Sequence, residues 1–164
     1  MIKPKQPLTP TQAFNRAAAL CARSEQSSCD IREKLIKWGL NTSEAHQVLE
    51  QLKGQGFIDD GRYARAFVKD KFAFNGWGRV KITYQLRQKG IPAELIADAL
   101  TAIDDDQYHQ RLIELLSAKW RSVNHDNSRA AWASMMRFAC SRGFETPLAA
   151  ECVKQVTRLD AEED

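Results

Sequence analysis

Residues 82–91, Ile-Thr-Tyr-Gln-Leu-Arg-Gln-Lys-Gly-Ile, decide the fold of this chain. Ile82 and Leu86 are spaced as on one face of an α-helix, and Gly90 suits the left-handed residue that ends such a helix. Similar stretches lie 51 residues earlier and 53 residues later, IREKLIKWGL at 31–40 and MMRFACSRGF at 135–144. A period of 51 to 53 residues that occurs three times predicts a repeat architecture.

Helix signals surround each of these stretches, and no four-residue run alternates as a half-buried strand does. Thr9-Pro10 with Gln12 predicts a capped first helix, Asp59 predicts the cap of a helix to about Asn75, and Pro92 opens a further helix. We therefore predict an all-α protein of three tandem three-helix repeats in an elongated, curved array. The predicted repeats are 1–56, 57–103 and 104–164, the first with an N-terminal extension and the third with an acidic tail.

Apolar positions on these helices predict the core. On the fourth helix Tyr63, Phe67 and Phe74 are expected on the buried side, while three tryptophans at apolar positions are expected to pack in the core: Trp38, Trp120 and Trp132. The four cysteines form no C-x-x-C pair, so we expect small buried thiols, and neither a metal site nor a cofactor.

Composition places the chain among globular proteins. Its 164 residues carry 24 basic and 21 acidic side chains, with 43% hydrophobic residues, which is enough to bury a core. No apolar run approaches the roughly 18 residues of a membrane span, and residues 1–10 lack the apolar region of a secretory signal. A cytoplasmic protein without membrane contact is expected.

The charges are distributed unevenly along the chain. Residues 61–90 hold eight basic side chains and one acid, Asp70, whereas residues 104–164 have a net charge of −3. Two adjacent helices then present positive faces that would attract phosphate backbones or an acidic protein groove, with a steep salt dependence. Trp77, between two glycines, could stack on a base or pack at the corner between the helices. The predicted binding residues are Arg62, Arg65, Lys69, Lys71, Trp77, Arg79, Lys81, Arg87 and Lys89.

Catalytic motifs are missing. The three histidines are isolated, no nucleophile, metalloprotease or phosphate-loop pattern occurs, and the acidic clusters at 59–60 and 104–106 are explained as helix caps. We expect no enzyme and no catalytic residues.

The middle segment resembles the core signature of the RecX family, bacterial regulators of the recombinase RecA. The similar residues are Gly56-Phe57-Ile58-Asp59-Asp60, Arg62-Tyr63-Ala64, Gly76-Trp77-Gly78, Ile82, Leu86 and Lys89-Gly90-Ile91. The segments at 30–40 and 137–144 resemble the first and third repeats of that family. The resemblance implies a non-enzymatic regulator of DNA repair that binds the RecA–DNA filament, and we expect a monomer. It would inhibit filament extension, strand exchange, ATPase and coprotease activity.

A second hypothesis needs no filament. Three-helix modules with a basic face are also typical of sequence-tolerant proteins that bind single- or double-stranded DNA through units like helix-turn-helix motifs. Comparing binding to bare DNA with binding to RecA filaments would separate the two hypotheses.

Overall fold

The structure, a computed structural model, describes residues 6–163, the last of them by its backbone alone. The expectation that residues 1–10 form no secretory signal concerns in part residues 1–5, which lie outside the described residues. Within the described range the chain forms nine α-helices and no strand, which confirms the all-α prediction. The helices are α1 (Pro10–Arg23), α2 (Ser28–Lys37), α3 (Thr42–Gly54), α4 (Asp60–Ala73), α5 (Arg79–Gln88), α6 (Ala93–Leu100), α7 (Asp105–Trp120), α8 (Ser128–Ser141) and α9 (Thr146–Glu163).

Side-chain caps explain where most of these helices begin. Thr9 and Asn41 form capping boxes with Gln12 and Glu44, in which each side chain accepts from the other residue's backbone N–H. Four more helices have a side-chain oxygen that accepts from the backbone N–H three residues on. These caps are Ser27, Asp59, Asp104 and Asn127.

The middle helix of each set of three ends in the same way. Gly39, Gly90 and Gly143 have φ angles of 101°, 71° and 90°. After Gly39, the N–H of Leu40 bonds back to the carbonyl of Leu35, and the N–H of Gly39 bonds to Ile36, which is a Schellman motif. The same pair of bonds recurs after α5 and α8. The glycines that revealed the sequence repeat are thus the helix ends they were predicted to be.

Helix packing groups the elements in threes. α1 to α3 contact one another, as do α4 to α6 and α7 to α9, and we refer to these groups as the first, second and third modules. This confirms the prediction of three tandem three-helix repeats. The predicted division after residues 56 and 103 falls in the connections between modules, and as a division into domains it stays a prediction.

Buried side chains form two clusters. One lies inside the first module, around Ile31, Leu35 and Leu52. The other runs through the second and third modules together and joins Ile82 and Leu86 to residues of α7, α8 and α9. The second and third modules therefore share one hydrophobic core, while the first module has its own.

Two expectations about the burial of aromatic side chains were wrong. Phe74 is 82% exposed because α4 ends at Ala73 and turns away before it. Trp132 is 40% exposed, since Ala131 and Met135 are the residues that α8 turns toward the core. Trp38 and Trp120, by contrast, pack against the two cores as half-buried side chains.

The cysteines also differ from the expectation of four buried thiols. Cys152 is buried, and burial raises the pKa of its thiol to about 11. Cys21 and Cys29 are half-buried, and Cys140 is exposed because it follows Ala139, the residue that α8 turns inward. Residues 6–163 contain no group of three or more His, Cys, Asp and Glu side chains that could hold a metal ion. None of the described helices has the length and apolarity that a bilayer span requires.

Candidate functional site

Two of the predicted binding residues hold the first module against the second. The Arg62 guanidinium lies 2.5 Å from a Glu25 carboxylate oxygen and also donates to the backbone carbonyl of Gly56 at 3.0 Å. The Lys89 ammonium lies 2.8 Å from Asp30, whose carboxylate raises the pKa of Lys89. Both cations form ion pairs with acids of the first module, so they are weak candidates for contacting a polyanion.

Arg79 holds the second module against the third in the same way. Its guanidinium lies 2.6 Å from Asp105 and 3.4 Å from Glu145, and it stands over the Tyr108 ring at 3.9 Å. Its backbone N–H donates to the Tyr108 hydroxyl at 2.9 Å, and that hydroxyl donates in turn to Glu145. Burial and the bond to Glu145 raise the pKa of Tyr108.

The two junctions repeat one geometry. At the first, Asp60 accepts from the backbone N–H and hydroxyl of Ser28, at 2.9 and 2.6 Å. Ser28 and Arg79 begin α2 and α5, while Asp60 and Asp105 begin α4 and α7. In both cases the start of a module's second helix meets the start of the next module's first helix.

Five predicted residues remain available on the surface. Arg65 has only a loose contact of 3.6 Å with Asp98, and both side chains are more than half exposed. The other four cations, Lys69, Lys71, Lys81 and Arg87, form no ion pair with any side chain in the described part of the chain. Lys69 and Arg87 are exposed, whereas Lys71 and Lys81 are half-buried.

Trp77 packs at the corner between α4 and α5. It is half-buried, lies against the shared core and meets Phe67 edge-on, with ring centres 6.3 Å apart. The ammonium groups of Lys71 and Lys81 lie 5.0 and 4.4 Å from the centre of its indole. A nucleic-acid base that stacked on this ring would have to compete with those two cations.

The outer face of α5 adds residues that the sequence analysis missed. Val80 and Tyr84 are 55% and 59% exposed, and they share that face with Arg87 at helical spacing. α5 contains no acidic residue. The signal was present in the sequence, because these positions lie opposite Ile82 and Leu86 on the helix.

Two cations of the third module were also missed. Lys119 and Arg142 lie 5.6 and 5.2 Å from the centre of the Phe138 ring, and neither forms an ion pair with a described residue. The sequence analysis did not select them because the net charge of residues 104–164 is negative.

Comparison with known proteins gives a consistent result. The family model of "RecX, second three-helix domain" matches residues 59–100. The chain is 26% identical over 149 residues to a protein of Clostridium beijerinckii and 24% identical over 162 residues to one of Amycolatopsis mediterranei, both named "Regulatory protein RecX". The matches cover 90% and 94% of this chain, and 69% and 91% of the relatives. A protein of Prosthecochloris aestuarii with the same name is 34% identical over 93 residues, covering 57% of this chain and 62% of the relative.

Solved structures agree in fold. A crystal structure of regulatory protein RecX superposes with a TM-score of 0.81 at 25% identity, covering 89% of this chain and 71% of that one. The RecX of Lactobacillus salivarius superposes with a TM-score of 0.80 at 18% identity, covering 90% and 96%. The relatives bear the names of regulators rather than of enzymes.

Proposed function

The chain belongs to the RecX family, and from this premise we propose that it binds the RecA–DNA filament and inhibits its extension, recombinase, ATPase and coprotease activities. In this role it regulates DNA repair, acts as a monomer in the cytoplasm and contacts both RecA and DNA.

One observation carries the proposal. The segment that matches the family model, residues 59–100, also contains Lys69 and Arg87, two exposed cations on α4 and α5 that form no ion pair within residues 6–163. Cations that no neighbouring acid neutralises are available for a polyanion or an acidic groove. The surface that could bind and the segment that defines the family are therefore the same part of the chain.

The module arrangement supports a mechanism of inhibition. Three linked modules can contact several successive protomers of a helical filament, so weak contacts add up through avidity only where protomers are assembled. The ion pairs at the two junctions would keep the modules in register during binding. A protein held in this way blocks further growth at low stoichiometry.

The test is the ATPase activity of RecA on single-stranded DNA, titrated with this protein. We expect inhibition at less than one molecule per RecA protomer, and K69E/R87E should raise the half-inhibitory concentration about tenfold or more. Arg62 is left unchanged because its loss would disturb the first junction.

The matched control is R32E/K34E, which makes the same charge change on exposed positions of α2. It should inhibit like the unaltered protein. No inhibition by the unaltered protein would refute the proposal, and equal inhibition by both variants would refute the assignment of the surface.

A second candidate is a DNA-binding protein that acts without RecA. It is favoured by α5, whose outer face combines Arg87 and Tyr84 without any acid. Submicromolar mobility shifts with bare duplex and single-stranded DNA, together with no effect on RecA filaments at the same salt concentration, would support this candidate instead.

A further inference from the structure

Four cations near the junction of the second and third modules are held by aromatic rings instead of carboxylates. Lys71 and Lys81 flank Trp77, and Lys119 and Arg142 flank Phe138, all within 6 Å of a ring centre. We call them the ring-held cations. A ring attracts a cation through its quadrupole without neutralising it as a carboxylate would, so the four side chains are positioned and can still attract an anion.

The two pairs of ring-held cations are linked across the junction, and we call the four together the strip. The Arg142 guanidinium donates to the backbone carbonyl of Asn75 at 2.8 Å, two residues before Trp77. The backbone N–H of Gly78 donates to the carbonyl of Arg142 at 2.7 Å, and a Cβ placed on Gly143 would overlap Lys81. The pair at Trp77 and the pair at Phe138 are therefore neighbours.

An exposed aromatic ring stands next to the strip. Phe74 is 82% exposed, the highest value among the exposed large hydrophobic residues, and it directly precedes Asn75. Covering this ring with a flat partner would remove apolar surface from water, which is favourable. Positive groups beside a free aromatic ring are the combination that binds single-stranded nucleic acid, where phosphates meet cations and a base stacks on the ring.

We propose that the ring-held cations and Phe74 form a binding site for single-stranded DNA. The backbone phosphates contact Lys71, Lys81, Lys119 and Arg142, and one base stacks on Phe74. The inference rests on the proposed function, in which the DNA of a filament is the ligand, and it names the residues that reach that DNA. The free ring favours a single strand over a duplex, whose bases are stacked on one another, and over an acidic peptide, which offers no flat base.

The first experiment measures the fluorescence anisotropy of a labelled oligothymidylate of about 20 nucleotides, without RecA, across a series of salt concentrations. K71Q/K81Q should weaken binding about tenfold, and the slope of log affinity against log salt should fall by about 1.4, or 0.7 for each lost contact. K119Q should reduce the slope by about 0.7. R32Q/K34Q, with the same charge loss on α2, should leave the slope unchanged because it lies outside the strip.

The second experiment tests the ring. F74A should weaken binding to the oligothymidylate about fivefold or more, whereas F74Y should bind like the unaltered protein because tyrosine also stacks. A duplex of the same length should bind more weakly and respond less to F74A. Thermal unfolding followed by circular dichroism checks that each variant folds.

Clear results would overturn the inference. If K71Q/K81Q bound the oligothymidylate with unchanged affinity, Lys71 and Lys81 would not contact its phosphates. If duplex and single strand bound with equal affinity, no base would stack on Phe74. If polyglutamate displaced the labelled oligonucleotide as well as unlabelled oligonucleotide of equal charge did, the strip would be a binding site for an acidic protein instead of DNA. Because RecA is absent from these measurements, loss of the DNA site and loss of RecA inhibition are observed separately.

Discussion

The partner of each cation determines what that cation can do, even for residues that are close in sequence. Arg79 and Lys81 are two positions apart at the start of α5. Arg79 contacts Asp105, Glu145 and Tyr108 and closes the second junction, whereas Lys81 lies over Trp77 and forms no ion pair in the part of the chain that the structure describes. The two side chains have the same charge, so sequence alone gives them the same role, and only the fold separates a structural cation from an available one.

Tyr108 is expected to be a main polar support of the second junction. Its buried hydroxyl accepts from the backbone N–H of Arg79 and donates to Glu145. Y108F leaves the backbone N–H of Arg79 without this acceptor and Oε1 of Glu145 without this donor in a half-buried site, and we expect the free energy of unfolding to fall by about 1 to 3 kcal/mol in urea titrations. Y84F, at a 59% exposed position on α5, should change it by less than about 0.5 kcal/mol. Equal values for the two variants would show that the buried hydroxyl contributes nothing.

Asp59 should make stability depend on pH at the acid end. Its carboxylate accepts from the backbone N–H of Arg62, and this bond holds the pKa of Asp59 below its ordinary value. A carboxyl group with a lowered pKa stabilises the fold above the unfolded value of 3.8, and this contribution is lost as pH falls through the folded value.

Two substitutions of Asp59 separate the cap from its charge. D59A should lower the free energy of unfolding by about 1 kcal/mol at neutral pH, whereas D59N keeps a capping oxygen and should have a much smaller effect. Below pH 4 the loss of stability in D59N should be shallower than in the unaltered protein. Parallel pH profiles from urea unfolding would contradict the role assigned to the charge.

At the scale of elements, the close approach of α5 to the end of α8 requires a glycine. Gly78 precedes α5, and a Cβ at this position would overlap the backbone of Gly143 and Phe144. We expect G78A to destabilise the protein by about 1 to 3 kcal/mol in urea titrations, because backbone must move to admit the methyl group. G54A is the matched control, since nothing lies within 4 Å of that position at the end of α3. It should be neutral or slightly stabilising, and a similar loss in both variants would contradict the argument.

The elements were largely predictable because their signals are local. A capping box spans four residues and a Schellman glycine lies beside its own helix, so Thr9, Asn41 and Gly90 could be interpreted without the fold. The exposure of Phe74 was not predictable, because helical spacing places it beside Phe67 and only the end of α4 at Ala73 turns it outward.

The candidate site was less predictable than the fold. The acids that form ion pairs with Arg62 and Arg79 lie between 26 and 66 positions away in sequence. The periodicity of apolar residues does not predict such pairs. Likewise, Lys119 and Arg142 belong to a module with net negative charge, and only folding brings them to the basic corner at Trp77. Charge counted along the chain predicted a basic binding region, which stays a prediction, and the structure shows which of its cations form ion pairs.

At the scale of the whole molecule, the segment before α1 covers the end of α2 in the way that the second module covers the end of α8. At the second junction, Gly78 donates its N–H to the carbonyl of Arg142, and Gly143 follows. In the first module, Leu8 donates to the carbonyl of Trp38 at 2.9 Å, and a Cβ at Gly39 would overlap Pro7. The end of a module's middle helix is therefore covered in both cases, whereas nothing lies within 4 Å of a Cβ placed on Gly90, at the end of α5.

The separation into two cores predicts how the molecule unfolds. Leu35 and Leu86 occupy equivalent repeat positions and are both fully buried, so L35A and L86A should each cost about 2 to 5 kcal/mol locally. Leu35 belongs to the core of the first module, and Leu86 belongs to the core that the second and third modules share. L35A should therefore speed amide hydrogen exchange within α1 to α3 only, whereas L86A should speed it from α4 through α9. Hydrogen exchange followed by mass spectrometry gives this comparison directly. If L35A accelerated exchange equally in all nine helices, the polar contacts of the first junction would couple the modules as strongly as a shared core does.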